Sequence, residues 1–467
     1  MQPIVPSTSQ PVSPSIFKAY DVRGIVDDTL TEPAVRSIGA ALGEQARAHR
    51  IGAIVVGRDG RLSGPRLAAA LSDGIASTGV DVIDIGMVPT PVVYFATALT
   101  GTGSGVAVTG SHNPPEYNGL KMMIGGVTLY GDAIQDLRRS IANGTPAAAK
   151  RGSVSQRDVA DEYLERIRSD VRLARPMKIA IDCGNGVAGV LAPRLYRELG
   201  CDVVELFCDV DGNFPNHHPD PAHPENLQDL IRSLRETDAE IGLAFDGDGD
   251  RLGVVTKDGR IIFPDRQLML FARDVLESRP GAQVIYDVKC TRKLGEWIRR
   301  YGGQPLMWRT GHSLIKAKLK ETGAPLAGEM SGHVFFNDRW FGFDDGLYAG
   351  ARLLEIVSKV SDPGELLNGL PDSLTTPELH VKLSEGESFA LIERLQRDAR
   401  FEGADEVITI DGVRVEYRDG FGLARASNTT PVVVTRFEAD TPEALERIKN
   451  DFRRAILAAK PDAKLPF

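Results

Sequence analysis

The feature that most limits what this chain can fold into is a repeated alternation of strand and helix patterns. In the first third, strand patterns at 51–59, 80–86 and 103–110 alternate with helix patterns at 65–79 and 91–99. Strands that alternate with helices of this length predict right-handed crossovers and a mostly parallel sheet covered by helices.

The same alternation restarts twice, and the end of the chain departs from it. New strand–helix series begin near residue 177 and after about residue 260, whereas the segment from about 373 reads as short strands with two helices. This predicts an α/β fold class: three similar α/β domains with mixed sheets, followed by a C-terminal α+β domain. The expected division is a disordered Pro/Ser-rich arm at 1–15 and domains at 16–157, 158–260, 261–372 and 373–467, with a polar linker at 143–158.

Composition excludes several classes of protein. The 467 residues carry 55 basic and 64 acidic side chains, a net charge of −9, which argues against a general partner of nucleic acid or of a membrane surface. No apolar run approaches the roughly 20 residues of a membrane span, and the N-terminal arm lacks the pattern of a signal peptide. We expect a cytoplasmic monomer whose partners are small molecules.

The stretch TGSHNPPEYNGLKM, 109–122, places Ser111 at the exit of a buried strand pattern. Asn113-Pro114-Pro115 cannot continue a strand, so the chain turns and the loop is stiff. This geometry suits a presented nucleophile with Lys121 nearby, and it is equally an ordinary turn composition.

The stretch DGDGDR, 246–251, is the strongest chemical signal. Asp246, Asp248 and Asp250 alternate with glycines between two strand patterns, so the loop can turn three carboxylates toward one point. A hard divalent cation such as Mg²⁺ is the natural partner of such a cluster. An EF-hand is excluded, because its glycine and glutamate positions hold Arg251 and Lys257. A solvated acidic hairpin is the competing interpretation.

Two further motifs suit a sugar phosphate. In GEMSGH, 328–333, the alternation of Glu329, Ser331 and His333 predicts an extended segment with three hydrogen-bonding side chains on one side. In RASNTTP, 425–431, guanidinium, hydroxyl and amide groups could cradle a phosphate, although a polar hairpin turn would look the same. Further cations follow other strand patterns, namely Arg23, Lys289, Arg309 and His312.

A competing motif points to another class of enzyme. The residues GNGVAG, 184–189, satisfy G-x-G-x-x-G after a strand pattern, with Glu205 about 20 residues further on. An NAD-dependent oxidoreductase is therefore an alternative, but it leaves Ser111, the aspartate loop and the 425–431 segment without a role.

Taken together, the four motifs resemble the α-D-phosphohexomutase superfamily, in particular its bacterial phosphomannomutase/phosphoglucomutase group. The serine, metal, sugar and phosphate loops of that family all occur here intact and in order, from residue 109 to 429. The resemblance implies four domains in a heart shape with a central active-site cleft. It also implies an isomerase that interconverts hexose 1-phosphate and hexose 6-phosphate of glucose, mannose or both.

The resemblance further implies a role for each motif residue. Ser111 would carry a phosphoryl group, and Mg²⁺ would be bound by Asp246, Asp248, Asp250 and that group. A hexose 1,6-bisphosphate would be the intermediate and activator. Arg23, Lys121, Arg251 and His312 would assist catalysis, and the substrate would be bound by Tyr20, Lys289, Arg309, Glu329, Ser331, His333, Arg425, Ser427, Asn428 and Thr429.

Two alternatives remain beside this hypothesis. Phosphoglucosamine mutases are similar, but they resemble this chain less in the sugar loop, where it carries Met330. A non-catalytic sugar-phosphate-binding protein is the other, and the intact Ser111 and aspartate loop argue against it.

Overall fold

The structure, a computed structural model, describes residues 12–144, 148–428 and 430–467. The chain forms two compact units: the first contains the chain up to Ile261 together with Phe343–Gly364, and the second contains Ile262–Gly342 and Glu365–Phe467.

The first unit begins with a seven-stranded mixed sheet in the strand order β1-β5-β4-β2-β3-β7, with β6 beside β5. Its elements are β1 (Val22–Ile25), α1 (Glu32–Ala48), β2 (Ala53–Arg58), α2 (Gly64–Ser77), β3 (Asp81–Met87), α3 (Thr90–Leu99), β4 (Gly105–Val108), β5 (Tyr117–Ile124), β6 (Val127–Thr128), α4 (Asp132–Asn143) and β7 (Val154–Gln156). The central strands are short apolar runs buried on both faces, as helix-covered parallel strands require. Strand β2 pairs in parallel with β3 and β4, whereas β5 runs antiparallel to β4 and β1.

A second, five-stranded sheet follows in the same unit, in the order β12-β11-β10-β8-β9. Its elements are α5 (Ala160–Asp170), β8 (Met177–Asp182), α6 (Ala192–Glu198), β9 (Cys201–Leu206), α7 (Gln228–Glu236), β10 (Ile241–Phe245), β11 (Leu252–Thr256) and β12 (Ile261–Ile262). Strands β10, β8 and β9 are parallel, and β10 and β11 form an antiparallel hairpin.

The second unit contains a four-stranded sheet in the order β14-β13-β15-β16. Its elements are α8 (Pro264–Ser278), β13 (Gln283–Asp287), α9 (Lys293–Arg300), β14 (Gln304–Trp308), α10 (His312–Thr322), β15 (Leu326–Gly328) and β16 (Val334–Phe336). Strands β14, β13 and β15 are parallel, and β16 is antiparallel to β15. Two helices follow in the chain: α11 (Gly346–Val357) belongs to the first unit, and α12 (Pro363–Asn368) starts in the first unit and ends in the second.

The C-terminal part of the second unit is α+β. Its sheet has the order β17-β22-β21-β20-β19, with β18 beside β22, and its strand pairs are antiparallel. The elements are β17 (Leu374–Thr375), β18 (Leu379–Lys382), α13 (Glu387–Asp398), β19 (Glu406–Ile408), β20 (Val413–Tyr417), β21 (Gly420–Ala426), β22 (Val432–Ala439) and α14 (Pro442–Ala459). Helices α13 and α14 pack their apolar faces on this sheet, and Thr441 caps α14 by accepting a hydrogen bond from Ala444 N.

The topology brings the chemical motifs to strand ends. Ser111 follows β4, and Asp246 follows β10; Lys289, Arg309 and Glu329 follow β13, β14 and β15. Each of these strands has a parallel neighbour in its sheet, so each motif lies at the carboxyl edge where α/β sheets bind ligands.

The fold agrees with the predicted class and differs in local detail. Residues 1–11 of the expected disordered arm lie outside the described residues, and Pro14–Ile16 forms a short 3-10 helix with Ile16 buried. The expected linker contains β7, which extends the first sheet. Within the part of the chain that the structure describes, no helix has both the length and the apolar character needed to cross a bilayer.

Candidate active site

Ser111 lies in the loop between β4 and β5 and is almost fully buried, with 2% of its surface exposed. Its Oγ donates to Asp246 Oδ2 at 3.1 Å and lies 3.1 Å from His112 Nδ1. Its backbone is in the left-handed region, with φ of 49°. The loop is therefore the turn that the sequence predicts, and it directs the hydroxyl at a carboxylate 135 residues away in the chain.

The aspartate loop joins β10 to β11, and all three of its carboxylates are fully buried. One oxygen from each of Asp246, Asp248 and Asp250 lies within 4.8 Å of the others, a grouping that can hold a metal ion. A solvated acidic hairpin is therefore excluded, because the loop is closed off from water.

Gly247 explains how the two loops approach so closely. A Cβ at this position would lie 2.3 Å from the carbonyl oxygen of Ser111, well inside the contact distance of any real side chain. Thr90, the first residue of α3, also anchors the aspartate loop, since its Oγ1 donates to Asp248 Oδ2 at 2.6 Å. The serine and aspartate loops are therefore in direct contact.

Lys121 places a positive charge inside the carboxylate cluster. It lies on β5, and its Nζ donates to Asp248 Oδ2 at 2.8 Å and to Asp250 Oδ2 at 2.5 Å. Burial opposes its charge, but these carboxylates outweigh burial and raise the pKa of Lys121 well above its usual range. Lys121 is therefore a permanent cation, suited to stabilising negative charge and unsuited to accepting a proton.

Three buried carboxylates grouped at one point repel one another and favour a compensating positive charge. Burial, reinforced by Asp248 and Asp250, raises the pKa of Asp246 well above its usual range, although Arg251 lies 3.8 Å away. No donor among the described residues reaches the buried Asp248 Oδ1. Buried carboxylate oxygens grouped this closely fit a hard divalent cation.

Three other groups of the first unit, Arg23, His112 and Tyr20, differ in their surroundings. The guanidinium of Arg23, on β1, donates to Asn113 Oδ1 at 2.5 Å and pairs with Asp21. Burial and the charges of Arg251 and Arg23 hold the pKa of His112 well below its usual range. Tyr20 is half-buried in the bend before β1.

The sugar loop of the second unit has a different backbone from the one its alternation predicts. Strand β15 ends at Gly328 and β16 starts at Val334, and Glu329 N donates to His333 O at 2.9 Å, so the segment is a hairpin turn. The prediction of an extended segment is wrong, because a tight turn needs the same small and polar residues.

The turn nevertheless brings two predicted residues to the start of α10. Glu329 Oε1 accepts from Gly311 N at 2.5 Å, and the ring of His333 stacks on that of His312 with 5.5 Å between centroids. Glu329 and both histidines are buried, while Ser331 is half-buried. Burial, together with Asp287, raises the pKa of Glu329 above its usual range.

Lys289, in the loop after β13, is nearly buried and ion-paired. Its Nζ donates to Glu378 Oε1 at 2.6 Å, and its carbonyl accepts from the guanidinium of Arg436, on β22. Burial opposes the charge of Lys289, but Glu378 and Asp287 outweigh it and raise its pKa. Arg309, at the end of β14, is exposed.

The predicted phosphate segment is the hairpin between β21 and β22. Arg425, the penultimate residue of β21, donates from Nε to Asp411 Oδ2 at 3.1 Å, and the same oxygen accepts from Thr310 N at 2.9 Å. Ser427 Oγ lies 3.0 Å from Thr430 Oγ1, and Asn428 follows Ser427 in the turn. Thr429 lies outside the described residues.

Sequence patterns missed several groups that shape these clusters. Thr90 and Glu378 bond predicted residues 158 and 89 positions away, and Asp411 bonds Arg425 from 14 positions away; no local pattern marks any of the three. The position of the Asp59–Arg61 pair could have been found from the sequence, because the pair follows a strand pattern, β2, and so lies at the same sheet edge as Ser111.

The GNGVAG segment lacks the geometry of a dinucleotide fingerprint. Its last three residues enter a short 3-10 helix, Val187–Val190, and the seven-residue α6 starts only after it. A dinucleotide site needs the loop to open directly into an α-helix that points its N-terminus at the pyrophosphate.

Family comparison matches the chain to four successive domain models. They are phosphoglucomutase/phosphomannomutase alpha/beta/alpha domain I at residues 14–148, domain II at 161–259, domain III at 263–374 and the C-terminal domain at 378–455. The domain boundaries expected from the sequence stay predictions.

Individual relatives agree with these models. A phosphoglucomutase of Neisseria gonorrhoeae is 59% identical over 452 residues, covering 96% of this chain and 98% of that protein. A phosphomannomutase/phosphoglucomutase of Pseudomonas aeruginosa is 56% identical over 454 residues, covering 97% and 98%. A crystal structure of a phosphoglucomutase/phosphomannomutase family protein from Burkholderia thailandensis has a TM-score of 0.94 at 64% identity, covering 98% of this chain and 100% of that one.

A probable phosphoglucosamine mutase of Methanopyrus kandleri is more distant, at 33% identity over 93% of this chain and 96% of that protein. The oxidoreductase alternative has no support, because all four domain models match in order and relatives above 50% identity match over nearly the whole chain. The chain belongs to the phosphoglucomutase/phosphomannomutase family of the α-D-phosphohexomutase superfamily, whose members are isomerases.

Proposed function

We propose that the protein interconverts hexose 1-phosphate and hexose 6-phosphate, of glucose, mannose or both, with Ser111 as the phosphoryl carrier. The observation that carries the proposal is the 3.1 Å contact between Ser111 Oγ and Asp246 Oδ2, inside a cluster of three buried carboxylates. A serine with no chemical role would not need a metal-binding group directed at its hydroxyl.

The cofactor that fits the first unit is Mg²⁺, held by Asp246, Asp248, Asp250 and an oxygen of a phosphoryl group on Ser111. When bound, it withdraws negative charge from that phosphoryl group. The fit rests on the three buried, closely grouped carboxylates and on Asp248 Oδ1, which accepts no hydrogen bond from the described residues.

The cations of the first unit supply the rest of the charge stabilisation. Phosphoryl transfer needs positioning and positive charge more than covalent help. Lys121 stays protonated within the cluster, and Arg251 and Arg23 carry guanidinium groups near Ser111. We assign these three residues to stabilisation of the developing phosphate charge, and His312 remains the candidate for proton transfer.

Residues of the second unit are suited to binding the substrate. Arg425, Ser427 and Asn428, with Thr429, offer donors to the phosphate that does not react, and Lys289 adds a buried cation. Glu329, Ser331 and His333 offer hydrogen bonds to sugar hydroxyls. One phosphate-binding set could serve both ends of a hexose 1,6-bisphosphate intermediate, which must exchange its two phosphates to complete a turnover.

The phosphoserine proposal is tested by Ser111→Ala. We expect a loss of mutase turnover of at least about 1,000-fold, because the covalent carrier is removed. Intact-mass measurement of the purified wild-type protein should show one phosphate, and peptide mapping should assign it to Ser111. Ser169→Ala, at an exposed position of α5, is the control and should retain full activity. Turnover that survives in Ser111→Ala contradicts the proposal.

The substrate class is tested by measuring kcat/KM for glucose 1-phosphate, mannose 1-phosphate and glucosamine 1-phosphate side by side. We expect the first two to be used, because relatives with more than 50% identity carry both names. A preference for glucosamine 1-phosphate would favour the phosphoglucosamine alternative. Tight binding of all three without turnover would indicate a sugar-phosphate-binding protein.

A further inference from the structure

The interior of the serine loop is filled by a single arginine. Arg61 follows β2, only 1% of its surface is exposed, and its guanidinium lies among the backbone carbonyls of residues 111–117. The Phe214 ring lies 5.2 Å from its Cζ. A Cβ on Gly110 would lie 2.4 Å from Cζ, so the loop backbone closes directly onto the guanidinium.

The guanidinium of Arg61 uses every donor it has. Its five N–H groups meet five acceptors: Nη1 donates to Pro114 O at 2.6 Å and Tyr117 O at 2.9 Å, Nη2 to Ser111 O at 2.8 Å and Asn113 O at 2.5 Å, and Nε to Asp59 Oδ2 at 3.2 Å. Four of the five are backbone carbonyls of the segment 111–117. A lysine has only three donors on one nitrogen and could not reach this set.

Asp59 holds the loop from its other side. Its carboxylate accepts from Thr109 Oγ1 at 2.8 Å, from Gly110 N at 3.2 Å and from Arg61 N at 3.0 Å. Thr109 Oγ1 in turn accepts from Ser111 N at 2.8 Å. The amide and the carbonyl of Ser111 are therefore both tied to one network, which holds the residue at its positive φ.

We propose that Arg61, with Asp59 and Thr109, is a positioning residue for phosphoryl transfer, and this inference rests on the proposed function of Ser111. The network fixes the Ser111 backbone, and the backbone fixes the direction of Oγ toward Asp246. The side-chain hydrogen bonds of Arg61 go to Asp59 and to backbone carbonyls of residues 111–117, so it acts through that backbone. A misplacement of the phosphoryl group by about 1 Å would slow transfer about 100-fold.

The first experiment compares Arg61→Met and Arg61→Lys with Arg352→Met. Arg352 is the matched control, because it is equally buried in the same unit but bonds Tyr348 and Glu355 on α11. We expect Arg61→Met to lower kcat about 100-fold with KM for the sugar phosphate changed by less than about twofold. Arg61→Lys should recover thermal stability more than kcat, since it restores the charge but not the five-donor geometry.

A milder pair of variants keeps the test valid if Arg61 variants fold poorly. Thr109→Val removes only the hydroxyl that links Ser111 N to Asp59, and Thr109→Ser keeps it. We expect Thr109→Val to lower kcat about tenfold at unchanged KM, and Thr109→Ser to recover most of the loss. Single-turnover transfer from the phosphorylated variants to hexose 1-phosphate should show the same order of rates.

Three outcomes would overturn the inference. The first is a kcat of Arg61→Met that is no lower than the kcat of Arg352→Met when the two variants are folded to the same extent. The second is full recovery of kcat by Arg61→Lys. The third is a Thr109→Val variant in which only KM changes. Failure of the proposed function would look different, because the wild-type protein would then carry no phosphate on Ser111 and would show no mutase turnover.

Discussion

At the residue scale, Gly247 and Ser111 meet backbone to backbone. A methyl group at 247 would lie 2.3 Å from Ser111 O, and backbone atoms cannot move aside as the end of a side chain can. We therefore expect Gly247→Ala to separate the serine and aspartate loops and to lower kcat about 100-fold. Forced overpacking of this kind should also cost about 1–3 kcal/mol of stability.

The matched control for Gly247→Ala is Gly52→Ala, for which no described atom lies within 4 Å of the added Cβ. Steady-state kinetics and thermal unfolding of both variants make the comparison. Gly52→Ala should differ from wild type by less than about 0.5 kcal/mol. Equal activity of the two variants would show that the two loops do not need to touch.

Single residues also show how far sequence reasoning reaches. The grouping of Asp246, Asp248 and Asp250 could be predicted, because the glycines between them make it a property of six consecutive residues. Arg61 could not be assigned its role, since its partners lie about 50 residues further along the chain. The burial of Lys121 could not be predicted either, because the carboxylates that stabilise it follow more than 120 residues later in the chain.

At the scale of elements, the three strands and two helices predicted within residues 51–110 are all present, whereas helix α1 and strand β5 were not predicted. Strand β5 was absent from the predicted elements because Asn118 and Lys121 interrupt its apolar pattern, although both are buried. The sugar loop shows the reverse error, since an alternation of period two also occurs in a hairpin turn. A local sequence pattern identifies a strand or helix only where the burial of its side chains does not depend on residues far away in the chain.

One long connection, between β9 and α7, is held to the end of β8 by a histidine. His217 Nε2 lies 3.0 Å from both carboxylate oxygens of Asp182, and its Nδ1 lies 3.0 Å from His218 O. Burial disfavours the charged ring, but the hydrogen bond to Asp182 and its charge outweigh burial and raise the pKa of His217. The connection is therefore held more firmly when the histidine is protonated.

This gives a pH-dependent prediction for His217→Gln. Because the folded pKa lies above the unfolded value of about 6.5, the stabilisation is fully present below that value and is lost as pH rises through the folded pKa. We expect the variant to lose about 1–2 kcal/mol near pH 5.5 and clearly less near pH 8.5, measured by denaturant unfolding. His380→Gln, at an exposed position of β18, should show no such trend. A loss independent of pH would mean that the charge of His217 is not involved.

At the scale of the whole molecule, each of the two compact units carries its own cluster of functional groups. The first has the serine and aspartate loops with Lys121, and the second has the sugar turn, Lys289 and Arg425. The serine and aspartate loops, Lys289 and the sugar turn follow strands that have a parallel neighbour, an edge that favours ligand binding, whereas Arg425 lies in an antiparallel hairpin. The repeated α/β pattern therefore predicts where chemistry lies, and the separate loops determine which chemistry it is.

Metal binding should be visible in the stability of the whole protein. A divalent cation that binds the folded aspartate loop stabilises it by about 2.7 kcal/mol at 100 times its dissociation constant. For a chain of this size we expect Mg²⁺ to raise Tm by several degrees. A chelator should reverse the rise without unfolding the protein, because Lys121 already offsets part of the buried negative charge. Asp248→Asn should abolish most of the rise, whereas Asp28→Asn, at an exposed position of the same unit, should keep it. An equal rise in Tm for both variants would place the cation elsewhere than at the carboxylates facing Ser111.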